Sequence, residues 1–219
     1  MLVETGILTV GAFLFGGVPF ALLIGLARGV DIRKRGSGNV GATNLARVAG
    51  TPWGVLAFFF DAAKGYLPVI LGDLWLGADR PDWALIGAGV AAVVGHCYSP
   101  YLRFRGGKGV ATGAGMVLAL HPGAFAILIL VWATIAVTIR DIGVASSVAA
   151  VAGLLVGGDL LRSNSLMGAP RPTLGGLLIG IAILILFRHR DNIRQFWGAR
   201  MGGSRLGGSS GPGLDREPD

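Results

Sequence analysis

Long apolar runs alternate with short polar segments along this chain, and most of the runs are long enough to cross a bilayer as helices. The first, residues 6–27, contains Pro19, which a spanning helix tolerates when neighbouring helices re-satisfy the freed carbonyl. A second run from about Trp53 to Leu71 is interrupted by Asp61 and Lys64, and a third extends from about Trp83 to Tyr101. The stretch Val110–Ile139 is too long for one pass: at about 1.5 Å per residue it exceeds the roughly 30 Å hydrocarbon core by about half. His121-Pro122-Gly123 divides it into a fourth element, Val110–Leu120, too short to cross unaided, and a fifth, Ala124–Ile139. A sixth run covers Ile142–Leu161, and the polar loop RSNSLMGAPRP leads to a seventh, Leu174–Phe187. Counting the short element, the pattern predicts seven passes.

Charge gives the passes a direction. Arg28, Arg33, Lys34 and Arg35 follow the first run, which places that loop in the cytoplasm and the N-terminus outside. The loop with Asp73, Asp79 and Asp82 against Arg80 is external by the same rule. Seven passes return Arg188, His189, Arg190 and Arg194 to the cytoplasm, whereas six would strand them outside. The expected fold is therefore all-α, a polytopic membrane protein with seven transmembrane helices and a cytoplasmic C-terminus. Composition agrees, with 53% hydrophobic and 14% charged residues and a mean hydropathy of +0.66. Residues 1–200 read as a single membrane domain with no room for a soluble one, and 201–219, MGGSRLGGSSGPGLDREPD, as a disordered cytoplasmic tail. The first run lacks the basic start and cleavage site of a signal peptide and is kept as a span. A single Cys97 excludes an intrachain disulfide and reads as a reduced packing residue.

Three polar clusters share the predicted cytoplasmic side. Gly36–Arg47, GSGNVGATNLAR, spaces Ser37, Asn39, Thr43, Asn44 and Arg47 with glycines, a pattern that suits either a loop wrapped around a small anion or an ordinary turn followed by a capped helix. Gly95–Thr112, GHCYSPYLRFRGGKGVAT, sets glycines around Lys108 just before an apolar helix, so successive N–H groups can converge on phosphate at a helix N-terminus. The plainer alternative is a basic loop facing anionic lipid. Arg188–Arg194, RHRDNIR, anchors a span by its arginines, and its His189 and Asn192 lie i, i+3 on one helical face. Asp61 and Lys64 share that spacing inside the second run and read as a structural ion pair. His96 fits three roles: base, phosphate donor or interfacial histidine.

Several chemistries are excluded. Leu102 stands where a Walker glycine would precede Lys108 by six places, and Gly109 follows where Ser or Thr is needed. No Gly-x-Ser-x-Gly elbow occurs, and no His is followed five places on by Asp. No Cys or carboxylate sits at ligand spacing from a histidine, so no metal site is expected. If the chain is an enzyme, its substrate arrives already activated.

The residues that carry a resemblance are Ser37-Gly38-Asn39 with Gly41 and Thr43-Asn44, then Asp61-Ala62-Ala63-Lys64-Gly65. Gly95-His96 follows with Phe104-Arg105-Gly106-Gly107-Lys108-Gly109-Val110-Ala111-Thr112, and His189-Arg190-Asp191-Asn192-Ile193 comes last. In this order the chain resembles the bacterial acyl-phosphate-dependent glycerol-3-phosphate acyltransferases, seven-span inner-membrane enzymes. Arg105 stands where that family usually has Lys. The resemblance implies transfer of a fatty acyl group from acyl phosphate to the 1-hydroxyl of sn-glycerol 3-phosphate, giving lysophosphatidate and phosphate, the first acylation of phospholipid synthesis. It implies no cofactor, no nucleic acid, no obligatory protein partner, surrounding membrane lipid, and an active site facing the cytoplasm.

Two bound phosphates, each of up to about −2 charge, call for several cations and many N–H donors. Arg47, Lys108 and either Arg105 or a protonated His189 are the candidate cations. On this reading Ser37, Arg47, Lys108, His189 and Asn192 hold glycerol phosphate. The amides of Gly106 to Gly109 (Gly106, Gly107, Lys108 and Gly109), with Asn39, Thr43 and Asn44, hold the acyl-phosphate head. Catalysis is then positioning and oxyanion stabilisation without a covalent enzyme intermediate, and the proton leaves to His96, His189 or a substrate phosphate. The competing reading is a transporter of an organic phosphate or anion, for which Asp61, Lys64 and the break at 121–123 are the supporting features.

Overall fold

The structure, a computed structural model, describes residues 1–169 and 171–202, and every regular element among them is helical. The helices are α1 (Leu2–Gly17), α2 (Phe20–Ala27), α3 (Ala42–Ala49), α4 (Thr51–Leu76), α5 (Asp82–Cys97), α6 (Val110–Leu120), α7 (Pro122–Ile139), α8 (Ile142–Leu160) and α9 (Pro172–Gly202). Six segments are long and apolar enough to cross a membrane: Leu2–Ala27, Thr51–Leu76, Asp82–Leu102, Pro122–Ile139, Ile142–Leu160 and Pro172–Gly198. At 11 residues, α6 falls outside that set. Pro19 does more than was expected of it. It ends α1 and starts α2, because a proline has no N–H to continue the ladder.

A helix shorter than the bilayer needs protein rather than lipid around it. Helix α6 has that: Thr112, Gly113, Gly115, Met116 and Val117 are buried, Met116 completely, among Val69, Val93, Leu174 and Leu178 of its neighbours. On its α4 side the backbones touch. A β-carbon on Gly65 would overlap the Thr112 carbonyl, and one on Gly115 would overlap the Ala62 carbonyl. Small residues at such a crossing allow close approach, so these two glycines fix where α6 sits. By contrast, α7 buries only Ala124 and presents most of its surface to lipid.

Two boundaries differ from the sequence-based expectation. The seventh run, expected to end at Phe187, continues as α9 through RHRDNIR to Gly202, since nothing between Phe187 and Trp197 breaks a helix. Met201 and Gly202, expected to be in a disordered tail, close that helix; the rest of the expected tail, 203–219, lies outside the described residues. The segment after Gly41 forms α3, a helix folded back on α4 and buried through Asn44 and Leu45.

Candidate active site

The loop 32–41 is organised by one side chain. Asn44, 1% exposed, donates through Nδ2 to the carbonyls of Ile32 (2.9 Å), Arg35 (3.1 Å) and Asn39 (2.9 Å), while its Oδ1 accepts from the Ser37 amide (2.9 Å). Its hydrogen-bonding capacity is therefore spent within the loop. The expectation that Asn44 binds phosphate is corrected: it shapes the loop that presents Ser37, Asn39 and Thr43. Ser37, Thr43 and Arg47 are exposed there and Asn39 is half-buried.

The glycine turn is held from three sides. Gly106 and Gly107 donate their amides to the carbonyls of Cys97 (3.1 Å) and His96 (3.0 Å) at the end of α5. Those amides are therefore not ligands for an acyl-phosphate head, a second correction. Arg188 of α9 grips the opposite side of the turn, donating to the carbonyls of Gly106 (2.9 Å) and Gly107 (2.7 and 3.2 Å). Underneath lies the His96 imidazole, so close that a β-carbon on Gly107 would overlap its Nε2. Gly107→Ala is therefore expected to displace either the turn or His96. Acyl transfer should fall at least about 10-fold while the protein stays folded in detergent, as checked by turnover and size exclusion.

Beyond the turn, Lys108 donates from Nζ to Asn192 Oδ1 at 2.5 Å. Burial, then the nearby Arg188 charge, pulls the Lys108 pKa below its ordinary 10.5; Arg47 adds to this, and Asp191 and Asp141 oppose it. A cluster of cations at one spot raises the free energy of each, and an incoming dianion relieves it. His189, 3% exposed, sits beside Arg188 and donates from Nδ1 to the Ile185 carbonyl (2.9 Å), which leaves Nε2 as the ring's acceptor. Asn192 also packs against Gly143 at the start of α8, where Asp141 caps the helix by accepting from the Val144 amide (3.0 Å). Arg105 is exposed; its amide donates to the Leu102 carbonyl (3.1 Å), and its side chain makes no hydrogen bond or ion pair among the described residues.

Asp61, Lys64 and His96 form one buried polar chain below the site. Lys64 Nζ lies 2.6 Å from Asp61 Oδ1 and 3.4 Å from His96 Nδ1. Nδ1 of His96 thus faces both the Lys64 ammonium and Asp61 Oδ1 (3.6 Å), and its Nε2 lies against Gly107. The structure thus joins Lys108, Asn192 and Arg47 in one basic cluster and sets His96 behind the turn rather than in front of it. Sequence reasoning treated Arg188 as a membrane anchor. Its partners are backbone carbonyls, which leave no signature in side-chain identities.

A cavity of about 90 Å³ starts at Val110 and Ile185, adjacent to Lys108 and His189, and runs between α6, α7, α8 and α9. Gly113, Val117, Trp132 and Ala150 are among its lining residues. Its main polar contact is Trp132 Nε1–H donating to Ser146 Oγ at 3.2 Å.

The sequence profile of the glycerol-3-phosphate acyltransferases matches residues 6–199. A glycerol-3-phosphate acyltransferase of Rubrobacter xylanophilus is 40% identical over 201 residues, covering 92% of this chain and 94% of that protein. One from Aquifex aeolicus is 39% identical over 188 residues, covering 86% and 93%. Among solved structures, PlsY (YgiH), an integral membrane glycerol 3-phosphate acyltransferase in its glycerol 3-phosphate form, superposes with a TM-score of 0.78 at 38% identity, covering 90% of this chain and 93% of that one. Its lysophosphatidic acid form gives 0.77 at 36% identity.

Proposed function

As a member of the glycerol-3-phosphate acyltransferase family, this chain is an acyltransferase acting on glycerol 3-phosphate, and we propose that acyl phosphate is its donor and that lysophosphatidate and phosphate are its products. The observation that carries this reading is the juncture at Lys108 and Val110, where the basic cluster ends and the apolar cavity begins. Arg47, Lys108 and Asn192, with Ser37 from the facing loop, hold the glycerol phosphate. The amides of Gly109 and the first turn of α6 face the acyl-phosphate head in place of Gly106 and Gly107.

In the reaction the 1-hydroxyl oxygen attacks the acyl carbonyl carbon, the bond from that carbon to the phosphate oxygen breaks, and phosphate departs with the pair. The hydroxyl proton passes to His189 Nε2 or to a substrate phosphate oxygen; His96 lies behind the glycine turn, away from it. Since the donor is already activated, no covalent enzyme intermediate is needed, and the protein contributes alignment and fixed charge. Purified protein supplied with labelled glycerol 3-phosphate and, in separate arms, acyl phosphate, acyl-CoA or an acyl carrier protein thioester tests the donor. Product from acyl phosphate alone is expected; product only from a thioester would refute it.

The acyl chain lies in the apolar cavity. Ala150→Trp, which fills it, is expected to slow transfer of a sixteen-carbon acyl group at least about 10-fold while sparing a short-chain donor, a difference read from paired turnover assays. Seven crossings account for the topology. The first turn of α6 follows the turn gripped by Arg188, midway along α9 where its apolar run ends, while Ala119 and Leu120 line a cavity with Arg171, Thr173 and Leu174 at the start of that helix. These two contacts support counting the short helix as a seventh crossing. That parity puts the N-terminus outside, and the Lys108 site and the C-terminus in the cytoplasm of a bacterial inner membrane.

A further inference from the structure

Three N–H···O contacts of Arg188 go to the two carbonyls of the Gly106-Gly107 turn. Its guanidinium also lies over the Tyr98 ring, 5.5 Å from the centroid. On the far side, the amides of those same two glycines are fixed by the Cys97 and His96 carbonyls. The turn is thus pinned through both its donors and its acceptors, more tightly than a phosphate-binding loop of glycines would be by sequence alone.

The consequence follows from peptide geometry. In a trans peptide the C=O and the next N–H point in opposite directions. With the Gly107 carbonyl bound to Arg188, the Lys108 N–H is turned away from that guanidinium, and it makes no hydrogen bond among the described residues. It precedes the unpaired first-turn amides of α6, so it opens a row of backbone donors beside the Lys108 ammonium.

We propose that Arg188 is a positioning residue for acyl transfer: by clamping the Gly106 and Gly107 carbonyls it aims the Lys108 backbone N–H at the carbonyl oxygen of the acyl donor, where negative charge develops. The inference rests on the acyltransferase reading above. It assigns Arg188 a role through the turn rather than through contact with substrate. A lysine would not substitute, because one ammonium lacks the planar fork that reaches two successive carbonyls.

An oxyanion donor acts in the transition state, so its misalignment lowers kcat rather than raising KM. For Arg188→Ala and Arg188→Lys, measured with acyl phosphate and glycerol 3-phosphate in the same detergent as wild type, kcat is expected to fall about 100-fold. KM for glycerol 3-phosphate should change less than about threefold. Added guanidinium ion is expected to recover part of the Arg188→Ala rate and none of the Lys108→Ala rate. Thermal unfolding of each variant is followed alongside, and Arg188→Lys keeps the charge should the alanine variant be unstable. A kcat within about threefold of wild type in both variants would overturn the proposal. So would a rise in KM at constant kcat, or a loss of activity that parallels loss of folded protein and resists guanidinium. Failure of the donor reading is seen separately, as an inactive wild type in the acyl phosphate arm.

Discussion

Lys108→Ala is expected to lower kcat/KM by about 1,000-fold or more with the fold intact. Two dianions must be brought together at this point, and each charge-assisted hydrogen bond to a phosphate is roughly twice as strong as a neutral one. Lys108 also holds Asn192 in place, so its removal frees a second ligand. Its lowered pKa adds a signature in pH. The ammonium is the form that binds phosphate, so affinity is full below that lowered pKa and is lost as pH rises through it, earlier than for an ordinary lysine. For stability the sign is opposite: burial disfavours the charged form in the folded state, and that cost is relieved as pH rises. Lys108→Arg keeps its charge, so its KM for glycerol 3-phosphate should stay flat over the alkaline range in which the wild-type value climbs. Parallel alkaline profiles would remove Lys108 from the phosphate site.

Asp61→Ala is expected to cost about 3–5 kcal/mol, the price of leaving an ammonium buried without its counter-ion. Lys64 is 1% exposed and Asp61 3%, and besides Asp61 the Lys64 ammonium has His96 Nδ1 within 3.4 Å. The effect should appear as a sharply lowered thermal midpoint in detergent and poor recovery from membranes. Replacing the pair together, Asp61→Leu with Lys64→Met, is expected to regain most of that stability, because two apolar side chains of similar volume remove both charges. A double variant no more stable than Asp61→Ala would show that the pair acts on something besides its own charge balance.

The apolar runs made most of the architecture legible. Spans are decided by length and hydropathy, and the break at His121-Pro122 is local chemistry that any reader of the chain can find. What escaped depends on contacts between distant backbones. Asn44 looked like a ligand because an asparagine in a glycine-rich loop is equally suited to a phosphate and to the loop's own carbonyls, and only the folded path shows which it serves. Gly106 and Gly107 looked like amide donors for the same reason, until the end of α5 came within reach of them. Arg188 was hidden by company, one arginine among several at a membrane edge, where orientation alone accounts for basic residues. Asn192 was the opposite case, since its i, i+3 spacing from His189 and its residue type already marked it as a candidate ligand.

The glycine contacts between α4 and α6 lie behind the α6 wall of the apolar cavity, and α7 makes another of its walls. Where Gly65 meets Thr112 and Gly115 meets Ala62, the peptide planes already touch, and no larger residue can be admitted without moving a whole helix. The wall made by α7 has no such constraint, since that helix is packed on one side only and yields to lipid on the other. Divergence in the fatty acids these enzymes accept should therefore accumulate along Phe125, Leu128, Ile129 and Trp132, while the α4–α6 seam stays fixed across relatives with quite different membranes.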